Sequence, residues 1–355
     1  MLNKARKEDT MKKMIFTAAL VLASTAAMAQ KSNFQVKGEL KNFSSDTILV
    51  YKGRGVKMDT ILVKKDKFTY NTNVEKPVNY TFITPKTYRG EERKAFALVC
   101  VPNEKAELKG DANARYDVTG TKFYQQYHEV DLMLEAAQKA PDAKDTYNDK
   151  VIDFVKQHPD YEASATLVSA VDGLENIEKV VGLLSDPVKN GRMKGYYQPF
   201  VEYAKKQAEA EAKAAKVQAS GVEAPDFTLN DINGKPFSLS SLRGKYVVID
   251  FWGSWCIWCI KGMPKMKEYY EKYKGKFEIL GVDCNDTEAK WKAAVEKHQL
   301  PWIHVYNPKG SDVLDKYAVQ GFPTKIVIGP DGKIVKTIVG EDPAFYTLLD
   351  EVLGK

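Results

Sequence analysis

The sequence predicts an α/β C-terminal domain, with a mixed sheet flanked by helices, preceded by a small antiparallel β-sandwich and a helical segment. Three observations lead to this prediction. Short β-rich runs separated by Gly, Asn, Asp and Pro fill residues 30–120. Apolar residues spaced three and four apart follow in residues 121–218. Strands and helices then alternate through residues 219–355, as in right-handed βαβ crossovers.

Residues 1–29 are predicted to be a signal peptide with an upstream extension before Met11. Two lysines precede a mostly apolar run, residues 14–23, which is too short to span a membrane. Ala27 and Ala29 then match a typical cleavage site. We expect export, cleavage after about Ala29 and a periplasmic location. The alternative is an apolar N-terminal helix that the mature protein retains.

Composition and charge argue against two classes of protein. The chain has 355 residues, 44% hydrophobic and 28% charged, which is ordinary for a soluble globular protein of two or three domains. Its net charge is +6, and half of this excess lies in residues 1–29. The remaining charges are scattered, so we expect no nucleic-acid partner. No other segment approaches the roughly 18 apolar residues that cross a bilayer, so we expect no membrane span.

The β-rich region is predicted to form the sandwich. It is rich in Tyr and Phe and contains no Trp. Its strand runs are FQVKGEL, DTILVYKG, KMDTILVKKDKFTYNTNV, VNYTFITP, KAFALVCV and KAELKG. Cys100 lies in the fifth of these runs, and we expect it to be a core residue.

The segment of residues 121–218 is predicted to be helical. The apolar spacing of amphipathic helices is found in YHEVDLMLEAAQKA, DTYNDKVIDFVKQHP, ASATLVSAV and LENIEKVVGLLS. The last run, YAKKQAEAEAKAAKVQAS, has high helix propensity but few apolar residues to bury. It therefore favours a solvated helical connector, and we place the domain boundary near residue 218.

The C-terminal region contains all five tryptophans and alternates between strands and helices. A buried strand, YVVIDFW, is followed by a helix from about Cys256 to Tyr273. The remaining elements are, in order, the strand FEILGVD, the helix DTEAKWKAAVEKH, the strand WIHVYN, the short helix DVLDKYAV, the hairpin TKIVIGPDGKIVKTIVG and the closing helix PAFYTLLDEVL. The hairpin is predicted to turn at residues 330–332.

Two cysteines, Cys256 and Cys259, lie where the buried strand ends and the next helix begins. A helix N-terminus has unpaired N–H groups and a partial positive charge, which lowers the pKa of a thiol from its usual value of about 8.5. Cys256 comes first, and we expect it to be the more exposed of the two and the nucleophile. Cys259, one turn later, is then the resolving thiol that releases the product.

Asp250 lies near the end of the same apolar strand, six residues before Cys256. Burial of a carboxyl raises its pKa, so Asp250 would be able to accept the proton of Cys259. The other interpretation is an aspartate that caps a loop at the end of the strand, and position alone does not separate the two.

The residues around the cysteine pair predict a substrate surface. The loop GFPT precedes the hairpin and is expected to approach the start of the cysteine-containing helix. A cis peptide before Pro323 would turn the backbone of Phe322 toward an extended substrate. Trp255, Ile257 and Trp258 are expected to supply apolar contacts.

Three other uses of a cysteine pair fit the sequence less well. A zinc site needs two more ligands at suitable spacing, and His298 and His304 are six residues apart. Covalent haem needs a histidine directly after the second cysteine, where this chain has Ile260. A purely structural disulfide remains open, although so short a loop constrains little of the unfolded chain. We expect no metal and no organic cofactor.

The motifs DFWGSWCIWCIKGMP, GFPT and PDGKIV resemble a thioredoxin fold. With the lead-in APDFTLNDINGKPFSLSSLRGKYVVIDFW, residues 221–355 are similar to extracytoplasmic TlpA/ResA-like thiol-disulfide oxidoreductases. Residues 33–125 more loosely resemble a β-rich domain of unknown function. The resemblance implies the attacking thiol Cys256, the resolving thiol Cys259, the buried acid Asp250, the helix-kinking Pro264 and the cis proline Pro323.

The sequence departs from these relatives at three places. Thioredoxin has proline before the second cysteine, where this chain has Trp258. TlpA/ResA-type reductases often have glutamate three residues after the second cysteine, where this chain has Gly262. The strand FEILGVD offers no buried lysine as a partner for Asp250. The absence of histidine between the cysteines favours a reductant.

We therefore predict an exported reductase of client protein disulfides. The resemblance implies a membrane thiol electron donor, and the N-terminal region would bind substrate or form a homodimer. Three alternatives remain. The first is a disulfide isomerase or oxidase, and the second is a peroxiredoxin-like peroxidase, because the segment APDFTL also resembles that of peroxiredoxin-like proteins. The third is a non-enzymatic redox sensor that binds a partner through residues 31–218. Cys284 follows FEILGVD and is interpreted as a small core residue or as a neighbour of the redox pair.

Overall fold

The computed structural model describes residues 32–44 and 46–354. The chain divides into two compact units between Ala204 and Lys205. The predicted signal peptide, residues 1–29, lies outside the described residues. Within the described part of the chain, no helix is long and apolar enough to cross a membrane.

The first unit begins with two four-stranded sheets that pack face to face. The strands are β1 (Phe34–Lys41), β2 (Thr47–Tyr51), β3 (Asp59–Leu62), β4 (Lys67–Thr72), β5 (Val78–Ile83), β6 (Ala95–Cys100), β7 (Lys105–Asp111) and β8 (Tyr116–Gly120). The strand orders are β4-β1-β7-β8 and β3-β2-β5-β6. Buried and more exposed residues alternate along β1, as expected for a strand with one face on the core. Phe68 of one sheet and Phe96 of the other stack across this core, with ring centroids 6.4 Å apart.

One strand pair corrects the predicted topology of the sandwich. We expected an antiparallel sandwich, but β1 and β7 run parallel in register, from Gln35 beside Lys105 to Lys41 beside Asp111. The chain leaves β1, forms β4 beside it and the four strands of the opposite sheet, and then returns on the other side of β1 in the same direction. Such a return requires a long crossover rather than a hairpin, and hydrophobic alternation within each strand does not report its direction.

A short helix, α1 (Pro85–Tyr88), lies between β5 and β6 and has no buried residue. The helices after β8 complete the core of the first unit. They are α2 (Lys122–Lys139), α3 (Ala143–Gln157), α4 (Leu174–Leu183), α5 (Asp186–Asn190) and α6 (Lys194–Val217), with a 3₁₀ segment at Glu162–Ser169. Tyr124 of α2 is buried in the same cluster as the strands and donates a hydrogen bond to the carbonyl oxygen of Val99 in β6 (2.6 Å). The division between the units falls inside α6, which has no buried residue after Val201.

The second unit is one seven-stranded mixed sheet with flanking helices, which confirms the predicted fold class. Its strands are β9 (Thr228–Asp231), β10 (Pro236–Ser238), β11 (Tyr246–Trp252), β12 (Phe277–Asp283), β13 (Ile303–Tyr306), β14 (Thr324–Ile328) and β15 (Ile334–Val339). Their order is β10-β9-β13-β12-β11-β14-β15. The central strands β11, β12 and β13 are parallel, and the other pairs are antiparallel. The hairpin β9–β10 was not predicted.

The helices of the second unit are α7 (Ile257–Lys272), α8 (Glu288–His298), α9 (Val313–Lys316) and α10 (Ala344–Leu353), with a 3₁₀ segment at Leu239–Leu242. Six of the seven residues of β11 are buried, because it is an interior strand of the sheet and lies between two cores. Val248 and Trp252 face the core formed with α7, α8 and α10. Asp250, midway between them, lies on the same face because side chains alternate along a strand.

One row of residues crosses this face of the sheet. Lys325 of β14, Asp250 of β11, Gly281 of β12 and His304 of β13 are in register. Residues in register on neighbouring strands share a face. The sheet therefore places a lysine, an aspartate and a histidine, all buried, on the side that α7 covers.

Candidate active site

The two cysteines form a disulfide at the start of α7. Cys256 is the N-cap residue, and its Sγ accepts a hydrogen bond from the backbone N–H of Cys259 (3.1 Å). A thiolate at Cys256 would keep this hydrogen bond and the favourable field of the helix N-terminus. The geometry therefore suits Cys256 as the thiol with the lower pKa.

The exposure of the two cysteines differs less than we expected. Cys256 is 5% exposed and Cys259 is 3% exposed, so both are buried in the oxidised pair. Cys256 belongs to the buried apolar cluster on this face of the sheet, and its position at the helix start did not indicate this packing.

Three exposed apolar side chains flank the buried disulfide. Trp255 is 50% exposed, Ile257 is 67% and Trp258 is 62%. Large exposed apolar groups that lie together mark interaction surfaces. The Nζ atom of Lys261 lies 4.5 Å from the ring centroid of Trp258, so a positive charge borders this surface. We name Trp255, Ile257 and Trp258 the aromatic rim.

The loop before β14 lies against the aromatic rim. The Phe322–Pro323 peptide is cis, as the family resemblance implied. The ring of Phe322 meets that of Trp255 edge to face, with centroids 5.3 Å apart. Trp255 has a second contact, because its Nε1 donates to the carbonyl oxygen of Cys284 (3.0 Å). The structure thus brings the predicted loop beside the cysteine segment.

Asp250 is buried beneath α7, at 4% exposure. Its Oδ1 has no hydrogen-bond partner among the residues that the structure describes. Burial raises the pKa of this carboxyl from 3.8 to about 6, and the positive charge of Lys325 opposes the rise. A carboxyl in this state is able to exchange a proton near neutral pH, and the burial argues against a loop cap in contact with solvent.

Sequence reasoning missed two charged residues beside Asp250. Lys325 is 1% exposed, and its Nζ pairs with Oε2 of Glu341 at 2.8 Å. The hydroxyl of Tyr346 donates to Oε1 of the same carboxylate (2.9 Å). The lysine is absent from FEILGVD and lies instead on β14, the other neighbour of β11, in register with Asp250. The readable signal was a lysine inside the apolar run TKIVI, because a buried charge requires a partner.

The structure explains why position 262, where glutamate is common in the relatives, is a glycine. A Cβ atom at Gly262 would overlap the carboxylate of Glu341. A carboxylate therefore lies beside position 262 of α7, but it comes from the segment between β15 and α10.

A second acidic group lies at the carboxyl end of β12. Burial, together with the negative charge of Asp286, raises the pKa of Asp283 to about 8. Asp286 is fixed because its carboxylate accepts from the backbone N–H (2.6 Å) and the hydroxyl (2.8 Å) of Ser254. Burial also lowers the pKa of His304 to about 3, so this histidine is neutral. Among residues 32–44 and 46–354, no group of three or more His, Cys, Asp or Glu is arranged to hold a metal ion.

The remaining cysteines are both fully buried. Cys284 and Cys100 are 0% exposed, and burial raises the pKa of each thiol. The Sγ of Cys284 donates to the carbonyl oxygen of Val282 (3.3 Å), so the thiol points into the core while its backbone supports Trp255.

We expect the native oxidised protein to be almost unreactive toward a thiol reagent such as 5,5′-dithiobis(2-nitrobenzoate). Cys256 and Cys259 are joined, and Cys100 and Cys284 should react at least about 100-fold more slowly than a free thiol. Denaturation without reductant should release two reactive thiols. Two fast-reacting thiols in the native oxidised state would contradict this burial.

Matches to known proteins cover both units. Residues 220–337 match the model of the AhpC/TSA family, and residues 34–127 match a domain of unknown function, DUF4369. A thiol-disulfide oxidoreductase ResA of Bacillus cereus is 43% identical over 122 residues, which are 34% of this chain and 70% of that protein. ResA of Bacillus subtilis (strain 168) is 36% identical over 123 residues, 34% of this chain and 68% of that protein. The crystal structure of the thioredoxin domain of a thiol-disulfide oxidoreductase from Bacteroides vulgatus is 36% identical, covers 38% of this chain and 98% of that chain, and has a TM-score of 0.36.

Proposed function

The chain belongs, through its C-terminal domain, to the ResA family of thiol-disulfide oxidoreductases, and from this we propose that it is an exported reductase of protein disulfides. The observation that carries the proposal is the Cys256–Cys259 disulfide at the start of α7, bordered by the exposed aromatic rim. The helix field favours a thiolate, and the rim offers contact to a macromolecular client.

The reaction would proceed in two exchanges. In the reduced protein, the thiolate of Cys256 attacks one sulfur of a client disulfide, and the other client sulfur leaves as a thiolate. Cys259 then loses its proton and attacks Sγ of Cys256, which breaks the bond to the client. The client has gained two electrons, and the protein is left with the Cys256–Cys259 disulfide. A thiol donor at the membrane would reduce this disulfide for the next cycle.

Asp250 would accept the proton of Cys259 in the second exchange. With a pKa of about 6 it is largely ionised at neutral pH, yet it is basic enough to take a proton. It lies on the sheet face that packs against α7, where Cys259, Met263 and Met266 are buried in one core with Val248. The same burial that raises its pKa keeps bulk water from competing for the proton.

Client recognition would use the aromatic rim and the loop at Phe322 and Pro323. Apolar side chains of an extended segment would contact Trp255, Ile257 and Trp258, while the client backbone lies along the loop. Locally unfolded disulfide-containing segments have both features. The aromatic rim and this loop therefore suit protein clients better than small disulfides.

The remaining parts of the chain would serve export and client binding or dimerisation. We assign residues 1–29 to export, with cleavage after about Ala29 and a periplasmic destination. The sandwich of residues 30–120 and the helices of residues 121–218 would bind clients or form a homodimer, and residues 219–355 would hold the redox centre. No organic cofactor, metal or nucleic acid takes part.

Reduction of insulin by the full chain, with dithiothreitol as the electron source, tests the proposed activity. We expect many insulin disulfides to be reduced per molecule, because the pair is regenerated after each cycle; one equivalent only would indicate a sensor. Equilibration with glutathione then gives the reduction potential of the Cys256–Cys259 pair, which indicates whether the protein reduces or oxidises its clients. A potential near that of thioredoxin, roughly −270 mV, fits a reductase, and a value of about −120 to −180 mV would indicate an oxidase or isomerase.

A peroxidase is the second candidate, because residues 220–337 match the AhpC/TSA family. In this chain Cys256 is paired with a cysteine only three positions away, which suits exchange with a disulfide. We expect hydrogen peroxide to be consumed slowly compared with insulin reduction. Rapid peroxide turnover that depends on Cys256 would reverse the ranking of the two activities.

A further inference from the structure

Three side chains form a linked polar cluster next to Asp250. Lys325, Glu341 and Tyr346 are joined by the 2.8 Å ion pair and the 2.9 Å hydrogen bond described above. The hydroxyl of Tyr346 also lies 3.4 Å from the carbonyl oxygen of Gly262 in α7. We call these three residues the charge cluster. It connects β14, α10 and the cysteine-containing helix on the face of the sheet where Asp250 is buried.

The structure reserves space for the carboxylate of Glu341. A side chain at Gly262 would overlap this carboxylate, so even alanine cannot be added without displacing it. The position of the carboxylate is thus fixed by three contacts at once: Lys325, Tyr346 and the bare backbone of α7.

The charge of Lys325 lies between two carboxyl groups. In register with Asp250 and bonded to Glu341, it is neutralised directly by Glu341. The positive charge of Lys325 lowers the pKa of Asp250, whereas the negative charge of Glu341 raises it. The titratable groups that face Asp250 from the elements packed around it are Lys325 on β14, Glu341 before α10, Tyr346 on α10, Cys284 after β12, His304 along the row on β13 and the cysteine pair on α7.

We propose that Glu341, acting through Lys325, sets the pH range in which Asp250 accepts the proton of Cys259. Glu341 and Lys325 are positioning residues, since neither touches the exchanging sulfur atoms in this proposal. Glu341 is 19% exposed whereas Lys325 is 1% exposed, so the cluster also joins the buried acid to the protein surface. The inference rests on the proposed role of Asp250 in the second exchange.

Two variants of the full chain, each lacking one charge, test this inference, because they should shift the titration midpoint of Asp250 in opposite directions. In Glu341→Gln the charge of Lys325 is no longer neutralised, so the titration midpoint of Asp250 should fall by about one pH unit or more. In Lys325→Met the attracting charge is lost, so the midpoint should rise by a similar amount. The double variant should return toward the wild-type midpoint. The readout is the carboxyl ¹³C signal of Asp250, assigned by its loss in Asp250→Asn.

A purely structural role would not give opposite shifts, and it would not be reversed in the double variant. Gly262→Ala provides a further variant in which Glu341 remains but its carboxylate is displaced, and it should lower the midpoint as Glu341→Gln does. Gly182 in α4 has no atom within 4 Å of an added Cβ, so Gly182→Ala is the matched control and should leave the midpoint unchanged.

The pH profile of the second exchange separates failure of this inference from failure of the proposed function. The rate of release of a trapped client should shift along the pH axis in the same direction as the Asp250 midpoint. If the wild-type chain reduces insulin but neither single variant moves the midpoint, the inference is wrong. If the wild-type chain does not reduce insulin, the proposed function is wrong, and the ¹³C titration still reports whether the cluster controls Asp250.

Discussion

Cys256→Ser should abolish insulin reduction, leaving only the rate of dithiothreitol alone, a loss of roughly 10³-fold or more. The N-cap position at α7 provides the hydrogen bond and the helix field that favour a thiolate, and a serine hydroxyl cannot form a mixed disulfide. Turnover measured by insulin precipitation would show the loss. Residual multiple turnover in this variant would require another thiol as nucleophile.

Cys259→Ser should behave differently from Cys256→Ser, because only the second exchange is blocked. The first exchange remains, so a covalent complex between Cys256 and the client should accumulate and appear on a non-reducing gel. Cys284→Ala is the matched control, since its buried thiol faces the core, and it should retain turnover. A trapped complex with Cys256→Ser instead of Cys259→Ser would reverse the assignment of attacking and resolving thiols.

Asp250→Asn should make the redox unit more stable at pH 7–8 while slowing the second exchange by about 10²-fold. Burial raises the pKa of Asp250 from 3.8 to about 6 in the folded protein. The carboxyl of Asp250 therefore binds a proton more tightly in the folded state than in the unfolded state. This difference stabilises the folded state fully below about pH 4, and the stabilisation is lost as the pH rises through 6. Above pH 7 the buried carboxylate costs roughly 3 kcal/mol, which asparagine removes.

The full chain offers a selective probe for this stability prediction. All five tryptophans lie after residue 218, so urea unfolding followed by tryptophan fluorescence reports the unit that contains Asp250. The variant should have the higher free energy of unfolding at pH 8, and the difference should vanish near pH 4. An equal difference at both pH values would show that the effect comes from packing rather than from the ionised carboxyl.

The sequence predicted the elements of the redox unit well, because its central strands are continuous apolar runs and its helices have clear apolar spacing. The position of Cys256 at the helix start followed from the local pattern, and the cis state of Pro323 from the family resemblance. The hairpin of β9 and β10 was missed because strands of four and three residues are too short to show alternation.

The charge cluster could not be predicted from any single segment of the sequence. Lys325 and Glu341 are 16 residues apart in sequence, and although a lysine inside the apolar run TKIVI indicates a buried charge, the run does not indicate which residue is its partner. Only the antiparallel register of β14 with β11 brings Lys325 opposite Asp250. In the same way, the direction of β7 beside β1 depends on the path of the chain between the sheets, which the pattern of each strand does not contain.

The parallel pairing of β1 with β7 also determines when the first unit can fold. β1 lies inside its sheet, between β4 and β7, and its partner in β7 begins at Lys105, 70 residues after Gln35. A chain synthesised from its N-terminus has to hold β1 with one free edge until that partner emerges. Such non-local pairing slows folding and leaves an unpaired edge open to other chains. The N-terminal sheet therefore depends on protection of this edge during synthesis.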